Sequence, residues 1–150
     1  MASITVTTII DKPIADVRNA WTQPEHITQW NFASDDWCCP TATNDVTEGG
    51  VFVWRMEAKD GSFGFDFTGQ YDVVEPMSKL AYTMGEFKDY FVPAGRKAQV
   101  LFEKIGDNQT QVTEVFDAEE VHSLEMQQAG RQAILDNFKK HVEGQVISNA

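Results

Sequence analysis

The sequence predicts an α+β fold: a curved antiparallel sheet around one long C-terminal helix, with two short helices after the first strand. Three observations predict it. A β-branched alternating run opens the chain, five strand-like runs then follow one another with only turn signals between them, and the last third carries apolar residues at helical spacing. Strands linked directly by turns, rather than alternating with helices, give an antiparallel sheet.

Residues 3–10 alternate and favour a strand. "DKPIADVRNAWT" (11–22) reads as a helix start, with Asp11 as cap and Pro13 in the first turn, where its missing N–H costs nothing. Val17, Ala20 and Trp21 share one face of it. "PEHITQW" (24–30) is a second short helix, opened by Pro24 and apolar at Ile27 and Trp30. Asn31 to Thr47 is the least regular stretch and is predicted as loop with one short strand. Strands are predicted near 50–58, 63–74, 79–85, 97–105 and 110–117, punctuated by Asp60-Gly61, Pro76 and "GDNQ" at 106–109. The final helix, 123–143, spans about 20 residues with Leu124, Gln127, Gly130 or Arg131, Ile134, Phe138 and Val142 on one face.

The hairpin around Asp60-Gly61 fixes a register. Two alternating runs flanking an Asp-Gly pair favour a two-residue type I′ loop. Ala58 then faces Phe63, Met56 faces Phe65, Trp54 faces Phe67 and Phe52 faces Gly69, all on one face. Arg55 opposite Asp66, with Glu57 beside them, goes to the other face. A slip of one residue would set Arg55 among phenyl rings.

The aromatic face needs a cover, and the terminal helix is thin in its first half, where Gly130 interrupts the stripe and Gln127 and Arg131 dilute it. A wide aromatic wall under a thin cover predicts an unfilled cavity, with a fully packed core as the alternative. Trp30, Trp37, Phe52, Trp54, Met56, Phe65, Phe67, Tyr71 and Tyr82 are the predicted lining, facing Gly130 and Arg131; buried tyrosine hydroxyls need partners. Glu114 in "QVTEVF" shares a face with Val112 and Phe116. With a three-residue turn near 106–109 it points inward with Val100 and Phe102, as an acid/base candidate or the ion-pair partner of Arg131; a two-residue turn would reverse half of these positions.

Composition narrows the function classes. At 150 residues the chain is read as one domain, 1–150, and 42% hydrophobic with 23% charged residues is ordinary for a folded protein. Acidic residues outnumber basic ones 23 to 12, a net charge of −11 that repels nucleic acid. No long apolar run or charged leader is present, so neither membrane insertion nor a signal peptide is expected. Cys38 and Cys39 are adjacent and unsuited to a stabilising crosslink, which points to reduced thiols and a cytoplasmic location. His26, His122 and His141 lie too far apart in sequence to suggest a metal site, and no cofactor is implied. "TEGGV" enters a strand rather than opening a helix, so it is not read as a phosphate loop.

The segments "WTQPEHITQWNFASDDWCCPTATNDVTEGGVFVWRMEAKDGSFGFDF" and "EMQQAGRQAILDNFKKHVE" resemble the START-like SRPBCC superfamily, and within it bacterial homologues of the activator of the heat-shock-protein-90 ATPase, in a CalC-like subgroup. The resemblance covers nearly the whole chain. It implies the helix-grip fold of START domains and birch-pollen allergens, with a cavity between sheet and helix that holds lipids, polyketides or hormones in relatives. Two features depart from the family: Gly130-Arg131 stands where Gly-Trp is usual, and "GEFKDYFVPAGRKAQ" (85–99) is long, with Phe87, Tyr90 and Phe91 as an expected lid. The leading expectation is a non-catalytic binder of an apolar or amphipathic small molecule. An enzyme acting on a polyketide-like or aromatic substrate through Glu114, and a co-chaperone or interaction module, are the other two classes. The expected partners are thus a small molecule or a chaperone, and the chain is a monomer or homodimer.

Overall fold

A computed structural model describes residues 2–86 and 92–148, the side chains of 145–148 excepted. The elements run β1 (Ser3–Ile10), α1 (Ile14–Thr22), α2 (Pro24–Trp30), β2 (Trp37–Cys38), β3 (Ala42–Asn44), β4 (Val51–Ala58), β5 (Gly64–Glu75), β6 (Lys79–Met84), β7 (Lys97–Gly106), β8 (Gln109–Asp117) and α3 (Leu124–Ser148). The sheet order is β1-β8-β7-β6-β5-β4-β2, with β3 also paired to β4, and the pairings are antiparallel. This curled sheet holding a long terminal helix is the helix-grip arrangement. The irregular stretch before β4 contains two short strands rather than one. The proposed lid residues Phe87, Tyr90 and Phe91 lie outside the described residues.

The β4–β5 register is the predicted one: Trp54 opposite Phe67, Met56 opposite Phe65, Arg55 opposite Asp66. The loop is different. Only Gly61 has positive φ, at 78°, so a type I′ turn, which needs two such residues, does not form. Gly61 N–H instead donates to Ala58 O at 2.9 Å, and the Asp60 carboxylate accepts the Ser62 N–H at 2.8 Å. Asp60 thereby replaces backbone geometry with a side-chain turn. Outside the sheet, Arg55 donates to Glu57 at 2.9 Å and to Asp66 at 3.4 Å.

Asp11 does not cap α1. Pro13 occupies the cap position, while the Asp11 carboxylate accepts from the Gln109 amide and its N–H donates to Glu143. The β7–β8 loop has only Asp107 and Asn108 between the paired Gly106 and Gln109, but a bulge at Ile105 restores the register of a longer turn. Val100 therefore faces Glu114 and Phe102 faces Val112, all four buried.

β1 ends the sheet, and α3 lies along it. Gln128, Gln132 and Lys139 donate to the carbonyls of Thr5, Thr7 and Ile9, alternate residues of the open edge. This rotation buries Leu135, Phe138 and Val142, whereas Leu124, predicted on the inner stripe, is 51% exposed. Phe138 packs edge-on against Trp21 and Trp30, with ring centroids 4.9 and 4.8 Å away. Trp30 donates its indole N–H to Ala20 O at 2.9 Å. His26 on α2 meets His141 on α3, ring nitrogens 2.9 Å apart, a pairing across 115 residues.

The wide wall is itself tightly fitted. A Cβ on Gly69 would lie 2.4 Å from the Phe52 ring and 3.1 Å from Thr83 O. Gly69→Ala is expected to destabilise, because overpacking costs about 1–3 kcal/mol and the stiffer unfolded chain returns only about 0.4–1 kcal/mol. Urea denaturation checks this as a lower midpoint at unchanged slope. A second expectation concerns acid. Burial, then the neighbouring His26, holds His141 below its ordinary value. The unfolded chain thus binds more protons below that value, and stability falls as pH falls through the window. Melting between about pH 7.5 and pH 5.5 should show this loss, and His141→Gln should flatten it.

Candidate functional site

A cavity of about 320 Å3 opens between the sheet and the first half of α3. Its apolar walls come from Met56, Phe65 and Phe67 on the β4–β5 hairpin, from Met84, Val92 and Phe116, and from Ile134 on α3. Its polar groups are Asn31, Tyr82, Arg96, Glu119, His122, Gln127 and Arg131. The second half of α3 fills the rest of the interior with Leu135, Phe138 and Val142, so the space lies where the helix presents shorter or polar inner residues.

Of the residues expected to line a cavity, Met56, Phe65, Phe67, Tyr82 and Arg131 are on its wall. Trp30, Phe52, Trp54 and Tyr71 are buried in the aromatic packing at the α1–α2 end, and Trp37 leans on Phe63 and Phe65. The Tyr71 hydroxyl donates to Asn44 Oδ1, and Asn44 donates on to Thr22 O, so this phenol is satisfied by the protein. A Cβ on Gly130 would meet nothing within 4 Å.

Glu114 is 2% exposed and stands behind the wall rather than on it. The Arg131 guanidinium lies between Glu114 and the cavity space. Its Nε donates to Glu114 Oε2 at 2.9 Å. Nη2 approaches the same oxygen at 2.8 Å without directing an N–H at it, which leaves Nη2 and Glu114 Oε1 buried with no hydrogen-bond partner. Arg131 also sits 5.6 Å from the Phe67 ring centre. Burial pushes the Glu114 carboxyl up, partly opposed by Arg131; desolvation disfavours the Arg131 charge, but Glu114 and Tyr82 keep its guanidinium charged. Burial likewise raises the Tyr82 phenol to about 12, against the pull of Arg131, so it is neutral and able to donate.

Arg96, Glu119, His122, Asn31 and Gln127 complete the polar lining. Arg96 is 6% exposed, donates to Asp117 O at 3.1 Å, and is lowered by burial. Gln127, expected only to dilute a stripe, anchors the segment before α3: its amide donates to Glu119 O and His122 O and accepts from Glu119 N–H. Glu119 accepts from the His122 backbone N–H, with His122 Nδ1 3.2 Å from its carboxylate oxygens. Arg96 and Glu119 come from irregular segments with no periodic signal, and so could not be placed from sequence. Phe116 carried such a signal, through its shared face with Glu114. Asn31, which donates to Met56 Sδ at 3.2 Å, is set by the end of α2.

Among the described residues no cluster of three or more His, Cys, Asp or Glu is arranged to hold a metal, and no helix is long and apolar enough to cross a membrane. Cys38 and Cys39 are free thiols, and burial raises Cys39 to about 11, an unreactive value.

Residues 11–143 match the family model described as activator of Hsp90 ATPase homolog 1-like protein. The chain is similar to the AHSA1-like protein from Aeromonas hydrophila, known from a solution NMR structure: 40% identity over 97% of this chain and 95% of that one, TM-score 0.85. A Cytophaga hutchinsonii protein shows 41% identity over 97% and 94% of the two chains, TM-score 0.77. A Chromobacterium violaceum protein at 19% identity shares the fold alone, with TM-score 0.84 over 94% and 96%. No curated protein matches the chain. None of these findings reaches the CalC-like subgroup.

The pair behind the wall gives a stability expectation. Arg131→Met strands a buried carboxylate and should cost about 3–5 kcal/mol. The double change Arg131→Met with Glu114→Met removes both charges and should recover most of that loss, as read by urea denaturation of the two variants.

Proposed function

The chain belongs to the activator of Hsp90 ATPase homolog 1-like family, a START-like group, and from that membership together with the cavity under α3 we propose that it binds a small amphipathic molecule. The observation that carries this reading is a mainly apolar chamber of about 320 Å3 whose lining includes Arg131, Arg96 and Tyr82. Small-molecule sites have this form: roughly 300–1,000 Å3, mostly apolar, with a few placed polar groups that set orientation. Non-catalytic binding is favoured over an enzyme because Glu114, the candidate acid/base group, is screened from the cavity by Arg131. The free thiols accord with a reducing cytoplasm.

Family membership equally fits a co-chaperone-type module, and one observation favours a protein contact. Val121, Leu124 and Met126 are 51–63% exposed beside His122 and Gln127 of the cavity rim.

The two readings separate in solution. The methyl groups of Met56, Met84 and Ile134 line the cavity, whereas Met77 and Met126 are exposed. Titration with 2-naphthamide or decanol should shift the first set and leave the second in place. Met84→Trp, which fills the space, should abolish the shifts. Silent cavity methyls, together with stimulation of an Hsp90-type ATPase that depends on Leu124 and Met126, would replace the binding reading with the co-chaperone one.

A further inference from the structure

We propose that the cavity selects a monocarboxylic acid of about a dozen non-hydrogen atoms, with its carboxylate on Arg131 and Arg96 and its apolar body against Phe67 and Ile134. The inference deepens the small-molecule reading and rests on it.

Charge placement is the first argument. The chain has net charge −11 and only four arginines, yet two of them line this one cavity. Arg96 is 6% exposed and the Arg131 side chain 14%. Burying guanidinium groups is costly unless they are matched by acceptors. Arg131 is matched only in part: Nε donates to Glu114, Nη2 is buried with no hydrogen-bond partner, and the residue stands on the cavity wall. A planar carboxylate is the acceptor that a guanidinium fork fits best. The Tyr82 hydroxyl, in the field of both arginines, adds a donor on the same side.

Size and charge restrict the class further. A volume of about 320 Å3 equals roughly ten waters at about 30 Å3 each, which suits a short acyl chain or a bicyclic aromatic acid. A dianionic phosphate is disfavoured, because the carboxylates of Glu114 and Glu119 flank the two arginines. A monoanion adds one charge, and the site has a group that can absorb it. Glu114 Oε1 is buried without a partner, and burial already favours its neutral form. The ligand carboxylate takes over Arg131, and Glu114 takes a proton from solvent. Binding of the acid is therefore coupled to proton uptake, and binding of a neutral isostere is not.

The test is calorimetric titration of the full chain with 2-naphthoate and with its neutral isostere 2-naphthamide, near neutral pH in two buffers of different ionisation enthalpy. The acid should bind about tenfold or more tightly than the amide, and only the acid should take up a proton. Glu114→Gln should abolish the uptake while keeping the preference for the acid. The apolar double variant, Arg131→Met with Glu114→Met, should bring the two affinities within about twofold. Equal binding of both probes to the unmodified protein, without proton uptake, overturns the carboxylate assignment and leaves the cavity reading standing. A preference for the acid that survives the double variant overturns the role of Arg131. If naphthoate, naphthamide and decanoate all fail to bind, both readings fall.

Discussion

β1 ends the sheet with outward carbonyls at Thr5, Thr7 and Ile9 that accept from α3 rather than from a strand. Gln128, Gln132 and Lys139 reach Thr5, Thr7 and Ile9 in turn, matching a helical repeat to the two-residue repeat of a strand. Open sheet edges invite pairing with other chains, and this seam covers one. It also fixes the rotation of the helix. With those side chains directed at β1, Leu135, Phe138 and Val142 turn into the core, and Gln127, Arg131 and Ile134 turn toward the cavity.

The interior divides as a consequence. Under the second half of α3, Phe138 packs edge-on against both Trp21 and Trp30, which touch each other, and Trp30 continues the contact to Trp54 on the sheet. That half is closely packed. Under the first half, the inner residues are Gln127 and Arg131, whose polar ends seek partners rather than contact. Gln127 spends its amide on the segment leading into the helix, and Arg131 spends part of its guanidinium on Glu114. Neither side chain fills the chamber, which persists because their polar ends are engaged with Glu119, His122 and Glu114.

The Glu114–Arg131 pair joins the sheet to the helix at the depth where water is excluded. Such a pair stabilises little by itself, since desolvation of both charges offsets their attraction. Its value is positional: it holds a cation at the cavity wall in a chain that is strongly acidic overall. Arg131 thus stands at a position that shapes the chemistry of the chamber.

The chain by itself determined the sheet register and the burial pattern around residue 60, because the Asp60-Gly61 turn sets the pairing and a one-residue slip would put Arg55 among the phenyl rings. It also determined the order of elements, whereas the direction of Glu114 stayed open between two turn lengths and was decided by the bulge at Ile105. The short links were not legible in the same way: the Asp60 side chain replaced a type I′ turn, and a bulge at Ile105 did the work of a longer loop. The site was decided by tertiary structure. Arg96, Glu119 and His122 lie on irregular backbone, where no period ties sequence position to direction, and His26 meets His141 only because α2 packs on α3. Local periodicity records which face a residue occupies. Which faces meet, and what space they leave, depends on contacts between segments about a hundred residues apart.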